Sequence, residues 1–227
     1  MPHVLRINLS RKQMPLLGRD ALKLFGNTLY SAVFGHFAYK RGLCDFDPNF
    51  FDHWERDATG LSWKFRLKEN LYFHDGRRTE IEDVEFSLTR FFLNQENLVE
   101  KTLLSGIRGL SDHSYARGWQ PGMVPGIRIV GPRMLNVCFD FPRPRFMTAF
   151  EHSTISLTPR EHICDDGITW RGLPVGAGPF RIVDVAADST RVTVERNETA
   201  ERMTQQTIEF LTGPNVRDVD FVLEGDR

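Results

Sequence analysis

His74 and Asp75 set an imidazole directly beside a carboxylate, the two groups that acid–base chemistry uses. Gly76 follows, and Asp-Gly supplies the positive-φ position of a tight turn, so a turn accounts for the same residues without chemistry. The run Gly176-Ala177-Gly178-Pro179-Phe180 has the glycine density of a phosphate cradle. Such cradles need several free N–H groups leading into a helix; Pro179 lacks its N–H and a strand-like run follows, so this also reads as a structural turn. Asp45 and Asp47 invite a cation, yet no third ligand follows at calcium-loop spacing. With Pro48-Asn49 behind them, they predict a turn.

The remaining templates fail. There is no Gly-x-Ser-x-Gly elbow, no His-Glu-x-x-His helix and no Ser-x-x-Lys. The seven histidines are scattered and read as structural groups. Cys44, Cys138 and Cys164 lie too far apart for a zinc knuckle or a redox pair, and are expected as buried single thiols. No catalytic residue, metal or cofactor is expected. Lys and Arg number 29 against 30 acidic residues, which removes the electrostatic footprint of a nucleic-acid or anionic-membrane partner.

The elements that must position these groups are legible. With 227 residues, 41% of them hydrophobic and 18 of them Phe, the chain can bury a large core as one α/β unit or a core with a smaller insert. Phe34, Phe37, Trp54, Trp63, Phe65 and Phe73 belong to that core rather than to a stacking platform. The N-terminal residues show no basic start before a long apolar run, so neither a signal peptide nor a transmembrane helix is expected. Val4 to Leu9 predict a strand and Ser10 to Gly18 a loop; apolar spacing from Leu22 to Phe34 predicts a helix.

Leu61 to Leu67 alternate with period two and predict a half-buried strand. Thr79 and Glu82 predict a capping box, with Ile81, Val84, Leu88 and Phe91 as one core-facing stripe and Asp83 and Glu85 on a solvated face. Residues 94–126 read as a loop-rich excursion. Ile127 to Val130 and Met134 to Phe141 predict a hairpin around Gly131-Pro132. Further elements are expected at Phe146 to Glu151 (helix), Thr154 to Leu157 (strand), Pro159 to Cys164 (a helical turn), and as strands at Phe180 to Val185, Arg191 to Arg196, Thr207 to Leu211 and Asn215 to Leu223.

Trp63-Lys-Phe-Arg-Leu-Lys-Glu-Asn-Leu-Tyr-Phe-His-Asp-Gly76, followed by Thr79-Glu-Ile-Glu-Asp-Val-Glu-Phe-Ser-Leu88, resembles the signature of peptide- and nickel-class extracellular solute-binding proteins, the substrate receptors of ABC importers. Pro174 to Phe180 resembles that family's Pro-Val-Gly-Thr-Gly-Pro-Phe, and Val192 to Asn197 its following strand ending in Arg-Asn. Asn70 stands where the pattern has glycine, Ala177 where it has threonine, and the aromatic pair expected after Asn197 is missing.

The resemblance implies an α/β fold with a mixed sheet and flanking helices: one lobe of a type II periplasmic-binding-protein-like architecture, without the second lobe. Residues 1–227 would form a single lobe, with about 45–165 a smaller β-rich subdomain inserted between 1–44 and 166–227, which carry the main sheet. It implies a peptide or other small solute as ligand, an ABC permease as partner in a transporter, no nucleic-acid contact and no membrane insertion, and a periplasmic or extracellular location. By resemblance, one cleft wall is built from Ser10, Arg11 and Gln13 and from Gly35, His36 and Phe37. One wall leaves much of a ligand exposed, so the chain alone is expected to bind peptides weakly or not at all. The alternative is an effector-sensing domain of a cytoplasmic bacterial transcription regulator.

Overall fold

The computed structural model describes residues 4–8, 32–40, 45–93, 102–112, 118–151, 155–167, 169–185, 191–197 and 222–223. Ten strands and one long helix are defined there: β1 (Val4–Asn8), β2 (Ala38–Lys40), β3 (Phe46–Pro48), β4 (Phe51–Arg56), β5 (Ser62–Leu67), α1 (Ile81–Leu93), β6 (Ile127–Gly131), β7 (Met134–Cys138), β8 (Phe180–Val185), β9 (Arg191–Arg196) and β10 (Val222–Leu223). The class is α/β, and every pairing among the described strands is antiparallel.

Two four-stranded sheets divide the chain. One, in the order β10-β1-β9-β8, takes its strands from the two ends of the sequence; the other, β4-β5-β7-β6, takes them from the middle. A two-stranded ribbon, β2-β3, lies between them in sequence. β5 shows why the alternation of Leu61 to Leu67 is informative: Trp63, Phe65 and Leu67 are buried while Arg66 between them is exposed. The hairpin β6-β7 forms as its alternation requires, with Leu135, Val137 and Phe139 fully buried. Against this face packs a run of rings: Phe51 on Phe37 at 4.7 Å, Phe65 on Phe51 at 4.8 Å, and Phe150 against all three. Offset and edge-on pairs of this kind add stabilisation beyond their buried area.

Several expectations change. Phe46 to Pro48 is a strand, not a turn, because Tyr39 pairs with Asp47 across the ribbon; Pro48 ends the strand, where a missing N–H is tolerated. Residues 155–158 are buried but belong to no strand. Phe146–Glu151 and Arg160–His162 wind as short 3-10 segments, and the latter begins without a side-chain cap. The free thiols Cys138 and Cys164 are half-buried rather than buried. Cys44, the helix expected before residue 32, and the strand at 207–211 lie outside the described residues; residues 32–34 are helical.

The largest correction concerns α1. Its polar face is not solvated: Asp83, Glu85, Ser87, Thr89 and Arg90 are all buried, alongside the expected apolar stripe. The capping box is also different. The Thr79 hydroxyl donates to the Leu71 carbonyl at 3.1 Å, and it is the Asp83 carboxylate, not Glu82, that reaches back to the Glu80 N–H at 2.8 Å. Ser87 and Thr89 satisfy their hydroxyls by donating to the carbonyls of Asp83 and Glu85 one turn earlier. Ser87 Oγ in turn accepts the Thr158 N–H at 2.9 Å, so the 155–158 segment covers what amphipathic spacing assigns to water.

Candidate functional site

The two motifs singled out for possible chemistry are in contact with each other. Buried Phe73 anchors the turn that presents His74, whose N–H donates to the Gly176 carbonyl at 2.9 Å. The Gly176 N–H returns a bond to His74 Nδ1 at 3.2 Å, and Nε2 lies 3.0 Å from the Gly178 carbonyl. An N–H partner on one nitrogen and a carbonyl on the other assign the neutral imidazole with its proton on Nε2. Burial lowers the pKa of His74 to about 4, against the opposing pull of the Gly178 carbonyl and Asp75.

The glycine loop is held from the other side by the end of the first helical segment. The Gly178 N–H donates to the Val33 carbonyl at 2.9 Å. A Cβ on Gly176 would stand 2.2 Å from the Val33 carbonyl oxygen, and one on Gly178 would stand 2.5 Å from that of Ala32. The glycines are therefore required by close backbone approach, not by a ligand. Ala177 between them is accommodated while almost fully buried. Asn197 completes the joint: its N–H donates to the Pro179 carbonyl at 2.8 Å and its amide nitrogen to the Gly178 carbonyl at 3.3 Å. His74, Gly176, Gly178 and Asn197, scattered over 124 positions, meet at one interlock between the sheets.

Beside it runs a charged network. Asp75 accepts the Arg77 N–H at 3.0 Å and contacts His162 Nε2 at 2.9 Å. Burial alone would raise the Asp75 carboxyl; the Arg77 N–H and His162 outweigh it, and its pKa is lowered. The Arg77 guanidinium makes a forked bond to Asp83 at 3.0 and 2.8 Å, pairs with Glu161 and lies 4.7 Å over the Phe73 ring. Burial nevertheless pushes the Asp83 carboxyl up. Asp75, Glu161 and His162 place one ligand atom each within 4.8 Å, close enough to share a cation. Arg77 already supplies positive charge to Glu161 and Asp83, so the cluster closes on itself as an ion-pair network.

Of the wall residues expected by resemblance, Ser10, Arg11 and Gln13 lie outside the described residues. Gly35, His36 and Phe37 directly follow the residues that grip the glycine loop. Gly35 has φ +68, and a Cβ there would stand 2.5 Å from the Phe50 ring. His36 is buried edge-on to Tyr39, and its carbonyl accepts the Asn49 amide. Phe37 is wholly buried in the ring cluster, and its carbonyl accepts the N–H groups of both Phe50 and Phe51.

Spacing missed Trp170 and Arg90. Trp170 stacks on Phe34 at 5.6 Å, with the Arg90 guanidinium 5.4 Å from the Trp170 ring. It also missed Glu85, whose carboxylate accepts the Gly122 N–H. Arg90 and Glu85 are polar in type and internal by tertiary contact, and no single-sequence signal marks them as such.

Residues 45–225 match the family described as bacterial extracellular solute-binding proteins, family 5 Middle. An HTH-type transcriptional regulator, SgrR, of Yersinia enterocolitica is 32% identical over 182 residues, covering 80% of this chain and 28% of that protein. A periplasmic oligopeptide-binding protein of Borrelia burgdorferi superposes with a TM-score of 0.62 at 21% identity, over 78% of this chain and 36% of the other. An oligopeptide ABC transporter substrate-binding domain of Bacillus anthracis gives a TM-score of 0.62 at 14% identity, over 85% and 39%. These two likenesses are of fold. The chain spans well under half the length of each of the three. Among the described residues, no helix is long and apolar enough to cross a membrane.

Proposed function

The chain belongs to the family 5 bacterial extracellular solute-binding proteins, and on that premise we propose that it forms one wall of a cleft for a peptide or other small solute and carries out no catalysis. The observation that carries this reading is the interlock: the residues that look most like chemistry, His74 and the Gly176–Gly178 loop, have their polar groups committed to one another. They build scaffold. The wall falls to residues 10–13 and 35–37, with Gly35 and His36 contributing along the backbone, since the Phe37 ring is spent on the core. Residues 45–165 would act as a rigid insert between the segments carrying the other sheet. In a transporter the location would be periplasmic or extracellular and the partner an ABC permease.

The test is a titration of the 227-residue chain with mixed tri- to pentapeptides, followed by amide chemical shifts. The expected result is millimolar binding with shifts confined to residues 10–13 and 35–37. Shifts elsewhere sink the wall assignment, and micromolar affinity sinks the one-wall picture.

A second reading, an effector-sensing domain of a cytoplasmic transcription regulator, is favoured by the likeness to the Yersinia enterocolitica regulator over 80% of this chain. The parent reading frame separates the two: a DNA-binding domain in the same frame supports the regulator, and neighbouring permease genes support the importer.

A further inference from the structure

Glu85 lies on α1 beneath the loop formed by residues 118–126, and it is buried. Both carboxylate oxygens accept the Gly122 N–H, at 2.8 and 3.1 Å, and the Val124 N–H also serves the carboxylate. The loop is fastened to the helix at a second point, where Trp119 meets Phe86 edge-on at 5.2 Å. Among the described residues no Lys or Arg pairs with Glu85. The charged groups on the elements around it, among the described residues, are Glu82 on the same helix, Arg160, whose guanidinium sits 5.7 Å over the Trp119 ring, and Arg128 on β6, which donates to the Pro125 carbonyl. A carboxyl group enclosed without a counter-charge is better accommodated neutral, because the two N–H groups replace only part of the water an anion would hold.

We propose that Glu85 is a proton-operated latch on the 118–126 loop: the neutral carboxyl lets the loop close on α1, and ionisation loosens it. This goes beyond the solute-binding reading and does not depend on it. When the loop lifts, the carboxylate is hydrated and ionises in the ordinary range. When it closes, burial raises the pKa from 4.5 to about 7 against the opposing pull of the Gly122 and Val124 N–H groups, with a smaller push from the like charge of Glu82. The closed form thus holds its proton more tightly, and rising pH favours opening. Linkage between those two values caps the change in the open-to-closed ratio from pH 5 to pH 8 at about 70-fold.

The test is hydrogen exchange at the Gly122 and Val124 amides, corrected for intrinsic exchange, across pH 5 to 8. Protection in the unsubstituted chain is expected to fall by tenfold or more, and in Glu85→Gln, which fixes the neutral shape, to stay flat. An equal fall in Glu85→Gln, or no fall in the unsubstituted chain, overturns the latch. Because the substitution could itself disturb the loop, carbon-13 titration of the Glu85 carboxyl in the unsubstituted chain is the second arm; a midpoint in the ordinary carboxylate range overturns the proposal. Neither readout uses a solute, so failure here is distinguishable from failure of the cleft assignment.

Discussion

The interlock at His74 and the latch at Glu85 both bury an ionisable side chain against backbone, and they do so with opposite chemistry. His74 meets one N–H and one carbonyl, the complement of a neutral imidazole, so nothing is left unsatisfied and protonation is what the fold resists. Glu85 meets N–H groups alone, the complement of an anion, in a place too dry to hold one comfortably. One joint is rigid because its buried group is matched in its stable charge state. The other is poised because its group is not.

The heaviest blow to the rigid side is Gly176→Ala. The added methyl has no rotamer to escape the Val33 carbonyl oxygen 2.2 Å away, so backbone must move. A loss of about 3 kcal/mol is expected, at the upper end of what overpacking costs, read from the urea midpoint. An unchanged midpoint would show that the two backbones are not held together.

His74→Phe comes next. It keeps the bulk but strands the Gly176 N–H and removes a donor from the Gly178 carbonyl, which Asn197 still serves. A loss of about 2 kcal/mol at pH 7 is expected. The pH dependence carries the comparison further. His74 has a folded pKa near 4, below its unfolded 6.5, so its contribution is complete above pH 6.5 and is lost as pH falls towards 4. Glu85 has a folded pKa near 7, above its unfolded 4.5, so its contribution is complete below pH 4.5 and is lost as pH rises through 7. The two slopes oppose between pH 4.5 and 6.5. His74→Phe should leave stability falling across that window, and Glu85→Gln should leave it rising, in denaturation series at stepped pH. Matching slopes in the two variants would erase the distinction.

Glu82→Gln should do least. Burial outranks the Glu82 charge as the cause of the Glu85 shift, so removing that charge should leave the Glu85 titration close to neutral pH. A return to the ordinary carboxylate range would make the latch a matter of charge repulsion rather than of enclosure.

Local periodicity and turn chemistry determined much of this protein. By resemblance, the motifs running from Trp63 to Asn197 carried the family; the alternation from Leu61 to Leu67, the hairpin around Gly131-Pro132 and the stripe Ile81, Val84, Leu88 and Phe91 were sufficient for strands and helix. They were sufficient because each depends on residues a few positions apart, where backbone geometry alone sets which side chains share a face. Asp83 and Glu85 were misplaced for the same reason. Amphipathic spacing states which face is polar, and only the arrival of residues 155–158 and 118–126 decides that the polar face is covered. Phe46 to Pro48 became a strand because β2 lies beside it. The role of His74 was likewise settled from 102 and 104 positions away, by Gly176 and Gly178. Sequence fixes what a residue offers its neighbours in the chain; tertiary structure chooses the distant partner, and with it whether a buried charge is satisfied or poised.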